Sequence, residues 1–258
     1  MSSYALVVVI SAVAGLAVGS FLNVVIHRVP LRISVSKPRS RCPRCQVAVA
    51  PRDNIPLISW LVLRGRCRSC SEPISWRYPM VEALTAGLFV LMVARFGVDP
   101  AVPAFCVLMA FLLAVSAIDI EHFIVPNRLV YPTLVLTVGL LVAAAAAGGK
   151  WEWLGRAALG GVIGFVALGT IHVIQPRGMG FGDVRMAGMV GIYLGWLGLA
   201  DVLVGLFLAF LTAGVIGSAL VVFAGKGAKT KVPFAPFLAL GTFLTVIWGR
   251  QIVHFWLG

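Results

Sequence analysis

Long apolar runs broken by short polar segments set the pattern of this chain. The first run, residues 4–26, holds no charged residue. Residues 80–118, 129–175 and 186–225 follow as three longer apolar stretches. Each has room for two helices of about 20 residues, the length that crosses a hydrocarbon core of about 30 Å. Each also carries a turn signal near its middle: "FGVDP" at 96–100, "GGKWEW" at 148–153 and "GLAD" at 198–201. With the first helix and a last one over about 236–255, the pattern predicts eight spans. The runs do not alternate apolar with polar positions, as a membrane barrel would require. The predicted fold is therefore an all-α polytopic membrane protein. No basic segment precedes the first run, no small-residue cleavage site ends it and a basic segment follows, so it reads as a spanning helix rather than a removed leader.

Charge gives the array a direction. Only 12% of residues are charged and the formal net charge is +12. In a soluble domain that excess would point to nucleic acid; beside apolar spans it follows the positive-inside rule, and no nucleic-acid partner is expected. Seventeen of the 21 basic residues lie in four polar stretches: residues 27–78, "DIEHFIVPNR", "QPRGMGFGDVR" and "GKGAKTK". If all four face the cytoplasm, an even number of helices separates each pair and both termini lie outside. Arg95, Lys150, Arg156 and Arg250 then fall on the outer side. The expected organisation is a first transmembrane helix over 1–27, a cytoplasmic cysteine lobe over 28–79, and a seven-helix membrane domain over 80–258.

The chain has nine acidic residues, and four sit near predicted helix ends on the inner side: Glu82, Asp119, Glu121 and Asp183. A carboxylate within the bilayer costs about 2.5–3.5 kcal/mol on insertion scales, which makes such residues functional candidates. Asp119 ends the run "FLLAVSAID", and Asp183 follows the glycines of "GMGFGD". Two carboxylates brought together share one proton, so that one activates a water and the other donates to a carbonyl. That is aspartic protease chemistry, and it needs no serine, cysteine or metal. Gly180 and Gly182 would let a substrate backbone approach closely and would tolerate positive φ. Other readings stay open at this stage. Asp183 could cap the following helix, Asp119 could pair with Arg128 or Arg185, and Glu121 rivals Asp119. Acids in membrane helices also serve proton-coupled transporters, where they lie at mid-depth or on both sides rather than at one face. His122 reads as interfacial, while His27, His172 and His254 form no cluster and receive no role.

Four of the five cysteines read Cys42-x2-Cys45-x21-Cys67-x2-Cys70. Two CxxC pairs at about this separation signal a tetrahedral structural zinc site. A cytoplasmic location disfavours the alternative of two disulfides. Cys106 sits in an apolar run and reads as a small core residue. "NIPLISWLVL" is too short to span and should pack at the membrane surface.

Several segments together resemble one family: "GSFLNVVIHRVP" at 19–30, "CPRC" at 42–45, "NIPLISWLVLRGRCRSC" at 54–70, "RYPMVEALTA" at 77–86, "AIDIEHFIVPN" at 117–127, "GMGFGDVRMAG" at 178–188 and "VPFAPFLA" at 232–239. The chain is similar in these to the bacterial type IV prepilin peptidases, membrane aspartic proteases of the GxGD type. The resemblance implies Asp119 and Asp183 as the catalytic pair, with Glu121 a bystander. It implies type IV prepilin or pseudopilin precursors as substrates, cut after a leader glycine at the cytoplasmic face of the inner membrane. It also implies N-methylation of the new amino terminus with S-adenosylmethionine, associated with the cysteine lobe and with Gly65. Glu82 is a candidate for leader recognition, with Arg77 as its alternative partner. Ala235 stands where the family commonly has glycine, a departure expected to touch no catalytic group.

Overall fold

The computed structural model describes residues 3–176, 178–224 and 232–257. Arg177, Lys226, Lys229 and Lys231, four of the basic residues used for orientation, lie outside them. The described elements are helical: α1 (Ser3–Arg28), α2 (Ile58–Val62), α3 (Arg77–Phe96), α4 (Val102–His122), α5 (Asn127–Gly148), α6 (Trp151–Ile174), α7 (Phe181–Leu197), α8 (Leu199–Ala224) and α9 (Ala235–Leu257). The expected helix breaks fall where the turn signals stand. Gly97 and Gly149 close α3 and α5 with φ of 69° and 65°, and Gly198 separates α7 from α8. Both positive-φ sites are ones that glycine enters without a Cβ penalty.

Seven helices among the described residues are long and apolar enough to cross a membrane. The eighth predicted span corresponds to α7, which has 17 residues and a length of about 25 Å. The expected short surface segment forms α2, five residues long.

The chain divides into two compact units, Met1–Val102 and Pro103–Gly258. The expected boundaries at 28 and 80 both fall inside the first unit. There α1 packs on α3 through Gly15 and Gly19, where a Cβ would meet the backbone of Ala86 and Glu82 at 2.6 and 2.7 Å.

In the second unit α6 and α7 approach most closely. Gly160 lies against Gly191 and Gly195, and Gly164 against the carbonyl of Ala187. Small residues four apart allow this backbone contact, which supplies packing where lipid gives no hydrophobic drive between helices. On another side of α7, Tyr193 is fully buried; its ring packs edge-on against Phe105 of α4 at 5.5 Å, and its hydroxyl meets Thr137 of α5 at 2.7 Å. Helix α7 is thus held near its far end by α4 and α5, while its first turn, which carries Asp183, is held by Phe165 and His172 of α6 packing on Phe181.

Candidate active site and metal centre

Asp119 lies in the last turn of α4 and is 5% exposed. The helix stops four residues later, where Phe123 takes a left-handed φ of 56° and returns its N–H to the Asp119 carbonyl at 2.9 Å. Asp183 is the third residue of α7 and is 8% exposed. Its N–H donates to the Gly180 carbonyl at 3.0 Å, and its Oδ2 accepts the Gly180 N–H at 3.2 Å. Gly180 is the N-cap, and Asp183, three residues on, returns one carboxylate oxygen to its N–H rather than capping the helix itself. Both acids lie in the second unit, one at the end of α4 and the other at the start of α7. Neither makes an ion pair among the described residues, so Arg128 and Arg185 do not neutralise them.

A contact at Gly182 brings the two segments together. A Cβ there would stand 2.9 Å from the Cβ of Val125, in the connection between α4 and α5. Gly182 thus lets the first turn of α7 sit on the chain just beyond Asp119. At Gly182 this contact fills the space expected to clear a substrate backbone. Gly180 has φ −73°, ordinary extended backbone, so left-handed freedom is not what the motif uses.

Glu121 is separated from Asp119 by helix geometry. Residues two apart point about 200° away from each other. Glu121 is exposed and lies 3.9 Å from His122 Nε2, while Asp119 turns inward.

The sequence pattern singles out neither of two further contributors. The N–H of Ala235 donates to Asp119 Oδ2 at 3.0 Å. Ala235 is fully buried and opens α9, whose first N–H groups have no partner within the helix. The expectation that position 235 touches no catalytic candidate is therefore corrected: its backbone holds one. His172 of α6, given no role above, donates from Nδ1 to the Met179 carbonyl at 2.8 Å and packs its ring on Phe181 at 5.6 Å. It pins the loop that delivers Asp183. With Oδ2 of each aspartate held by a backbone N–H, the second oxygen of each accepts no hydrogen bond among the described residues. That leaves two oxygens for a water and a substrate carbonyl.

The four lobe cysteines converge. Their sulfurs all lie within 4.8 Å of one another, with Cys42 and Cys70 3.7 Å apart, and none is in a disulfide. A tetrahedron with Zn–S bonds of about 2.3 Å has S–S edges of about 3.8 Å. The two CxxC turns repeat one design. The Gln46 N–H returns to the Cys42 carbonyl and the Ser71 N–H to the Cys67 carbonyl, each at 2.9 Å. Gln46 and Ser71 take φ of 59° and 60°. Backbone N–H groups of Cys45 and Arg44 draw the Cys42 thiol down to about 7, while at Cys70 the Glu72 N–H is outweighed by burial and the neighbouring thiols, which push it up to about 12, so it is the spacing of the four sulfurs that points to zinc. The donor set thus fits zinc.

Gly65, with φ 66°, joins the halves of the lobe. It donates to Trp60 and accepts from Ile74, and a Cβ there would reach the Trp60 ring at 2.9 Å. Arg68 clamps Asp53 with three hydrogen bonds of 2.6–3.1 Å and holds its carboxyl below the usual carboxylate range. That clamp is fully present above the ordinary aspartate value of about 3.9 and is lost as pH falls through the lower folded value. Glu82 is buried, and its Oε2 accepts the Leu57 N–H at 2.8 Å. It ties α2 to α3, and its burial lends no support to a role in leader contact.

Comparison with known proteins adds a second line. Residues 13–96 match the Bacterial Peptidase A24 N-terminal domain, and residues 106–222 match the Type IV leader peptidase family. The chain is 36% identical to a prepilin leader peptidase/N-methyltransferase of Stutzerimonas stutzeri, over 95% of this chain and 92% of that one. It is 34% identical to the protein of that name from Pseudomonas aeruginosa, over 94% and 91%. For the Bacillus subtilis protein the figures are 33%, over 94% and 95%. No solved structure matches the chain.

Proposed function

This chain belongs to the type IV leader peptidase family, and from that premise we propose that Asp119 and Asp183 are the catalytic pair of a membrane aspartic endopeptidase. It removes the leader of type IV prepilin-like precursors and N-methylates the new terminus. The observation that carries the assignment is the pair itself: two buried acids, 64 residues apart, each with one oxygen held by a backbone N–H. Like charges in one site share a proton. The ionised carboxylate takes a proton from a water as the water attacks the carbonyl carbon, while the protonated partner donates to the carbonyl oxygen. When the tetrahedral intermediate collapses, the proton taken from water passes to the departing amine, and the carbonyl reforms as its oxygen returns the other proton. The chemistry sits at one helix end rather than at mid-depth, which favours hydrolysis over proton relay.

The site faces the cytoplasm of the inner membrane with both termini outside, as the basic residues argue. Reporter fusions at each terminus test this: activity of a cytoplasm-dependent reporter at either end would reverse the orientation. Zinc held by Cys42, Cys45, Cys67 and Cys70 is structural. S-adenosylmethionine is the methyl donor by family resemblance, but the polar pocket of the first unit does not fit it. The donor carries net positive charge, and that pocket presents Arg28 and Arg39 with no carboxylate. Methylation is therefore assigned to the chain and to no residue.

Two substitutions probe how the site is held. Ala235→Pro deletes the N–H that binds Asp119, at a first helical position where proline is tolerated. Losing a hydrogen bond to a charged group costs about 1.5–3 kcal/mol, so cleavage should slow by on the order of 10- to 100-fold with little change in melting. An unchanged rate would remove Ala235 from the site. Gly182→Val sets a branched side chain against Val125. Overpacking of about 1–3 kcal/mol should part the two segments and lower both rate and melting temperature; a wild-type rate would show that the contact does not position Asp183. The experiment that tests the function is incubation of the purified chain with a prepilin, read by mass spectrometry for loss of the leader and gain of a methyl group.

A further inference from the structure

The first span ends beside a pocket that the peptidase reading leaves unused. From Arg28 to Arg41 the chain carries five basic residues, Arg28, Arg32, Lys37, Arg39 and Arg41, and no acid. Interleaved with them, Leu31, Ile33 and Val35 are exposed by 53, 43 and 37%. A pocket of about 340 Å³ opens here, within the range of small-ligand sites. Val24 and Arg28 of α1 form one wall; Ser36, Arg39, Ser40 and Asn54 supply most of its polar groups. Arg28 donates from one terminal nitrogen to the Ser34 carbonyl at 3.0 Å, which fixes the arm and leaves other N–H groups for a ligand. Arg39 is exposed and makes no hydrogen bond or ion pair among the described residues.

Two guanidiniums, two hydroxyls and an amide, with no carboxylate among the lining residues, suit a phosphate oxyanion. The pocket's depth selects the source. Val24 lies about one turn before the end of a helix that crosses the bilayer, so an anion here sits at headgroup level. The exposed leucine, isoleucine and valine beside it match glycerol and acyl carbons, and a free phosphate ion would have no use for them. Basic clusters directly beyond a spanning helix draw anionic lipid by about 1 kcal/mol per Lys or Arg. We propose that this pocket binds the phosphate of an anionic phospholipid, anchoring the juncture between α1 and the cysteine lobe in the headgroup layer.

The test uses the full chain with its metal, purified in detergent and exposed to equimolar phosphatidylglycerol and phosphatidylcholine, with bound lipid read by native mass spectrometry. The wild type should retain phosphatidylglycerol preferentially. Arg39→Gln should lower that preference about fivefold, and Arg28→Gln with Arg39→Gln should abolish it. Arg250→Gln, in α9 and not among the residues lining the pocket, should leave it unchanged. Lobe metal content, measured alongside, should stay at the wild-type level. Equal retention of both lipids by the wild type, or an Arg39→Gln protein with intact metal and undiminished preference, would overturn the proposal. So would displacement of the lipid by excess inorganic phosphate, which would mark a soluble phosphate site. The same readout fails independently of cleavage, so it stands apart from the peptidase assignment.

Discussion

Asp183→Asn should leave a folded protein that cleaves prepilin at a rate at least about a thousandfold below wild type. The amide keeps the shape of the carboxyl, and its oxygen can still accept the Gly180 N–H, so the start of α7 should hold. It can neither share a proton with Asp119 nor take one from water. General acid–base catalysis contributes about 10²–10⁴-fold, and the pair loses both of its functions when one member is neutral and fixed. Melting should change little, because an unpaired buried charge is removed and not created. A variant with wild-type turnover would exclude Asp183 from the chemistry; one that no longer melts cooperatively would make its helix-capping contact the main role.

Cys67→Ser, or prolonged chelation of the native chain, should release about one zinc per chain and open the lobe to protease between the two CxxC turns. Little else holds this segment. Its regular structure is the five-residue α2, a 3-10 turn at Pro51–Asp53 and two isolated bridges, Arg41 with Ala48 and Arg66 with Pro73. Structural zinc sites supply apparent binding energies of about 10–16 kcal/mol, far beyond what those bonds and the Asp53–Arg68 clamp provide. The spanning helices, packed through their glycine contacts and through Tyr193, should stay folded. A metal-free lobe that resists protease under reducing conditions would refute the zinc assignment.

The parts of this molecule that the sequence disclosed are those that residue type alone encodes. Glycines mark the helix breaks because only glycine enters positive φ freely at Gly97 and Gly149. Cysteine spacing announces the cluster because two thiolates per turn must converge on one metal. Asp119 and Asp183 stand out because acids are costly in apolar runs. What stayed hidden is what the backbone does. The Ala235 N–H is a donor in any residue but proline, so no side chain advertises its bond to Asp119. Gly182 resembled a substrate clearance, yet the space beside it is filled by Val125, 57 residues earlier. His172 reaches the Met179 carbonyl across a helix end, a contact that no periodicity predicts. Glu82 looked available at a helix start, and tertiary packing buried it under Leu57.

The most direct test of the paired-carboxylate account sets Asp119→Asn beside Glu121→Gln. Both proteins, purified with their metal, are given the same prepilin, and leader release is followed by mass spectrometry. The account predicts no detectable product from Asp119→Asn and near-normal product from Glu121→Gln, since the first acid is buried against Ala235 and the second is exposed. Leader release by Asp119→Asn at the wild-type rate, or its loss in Glu121→Gln alone, would contradict it.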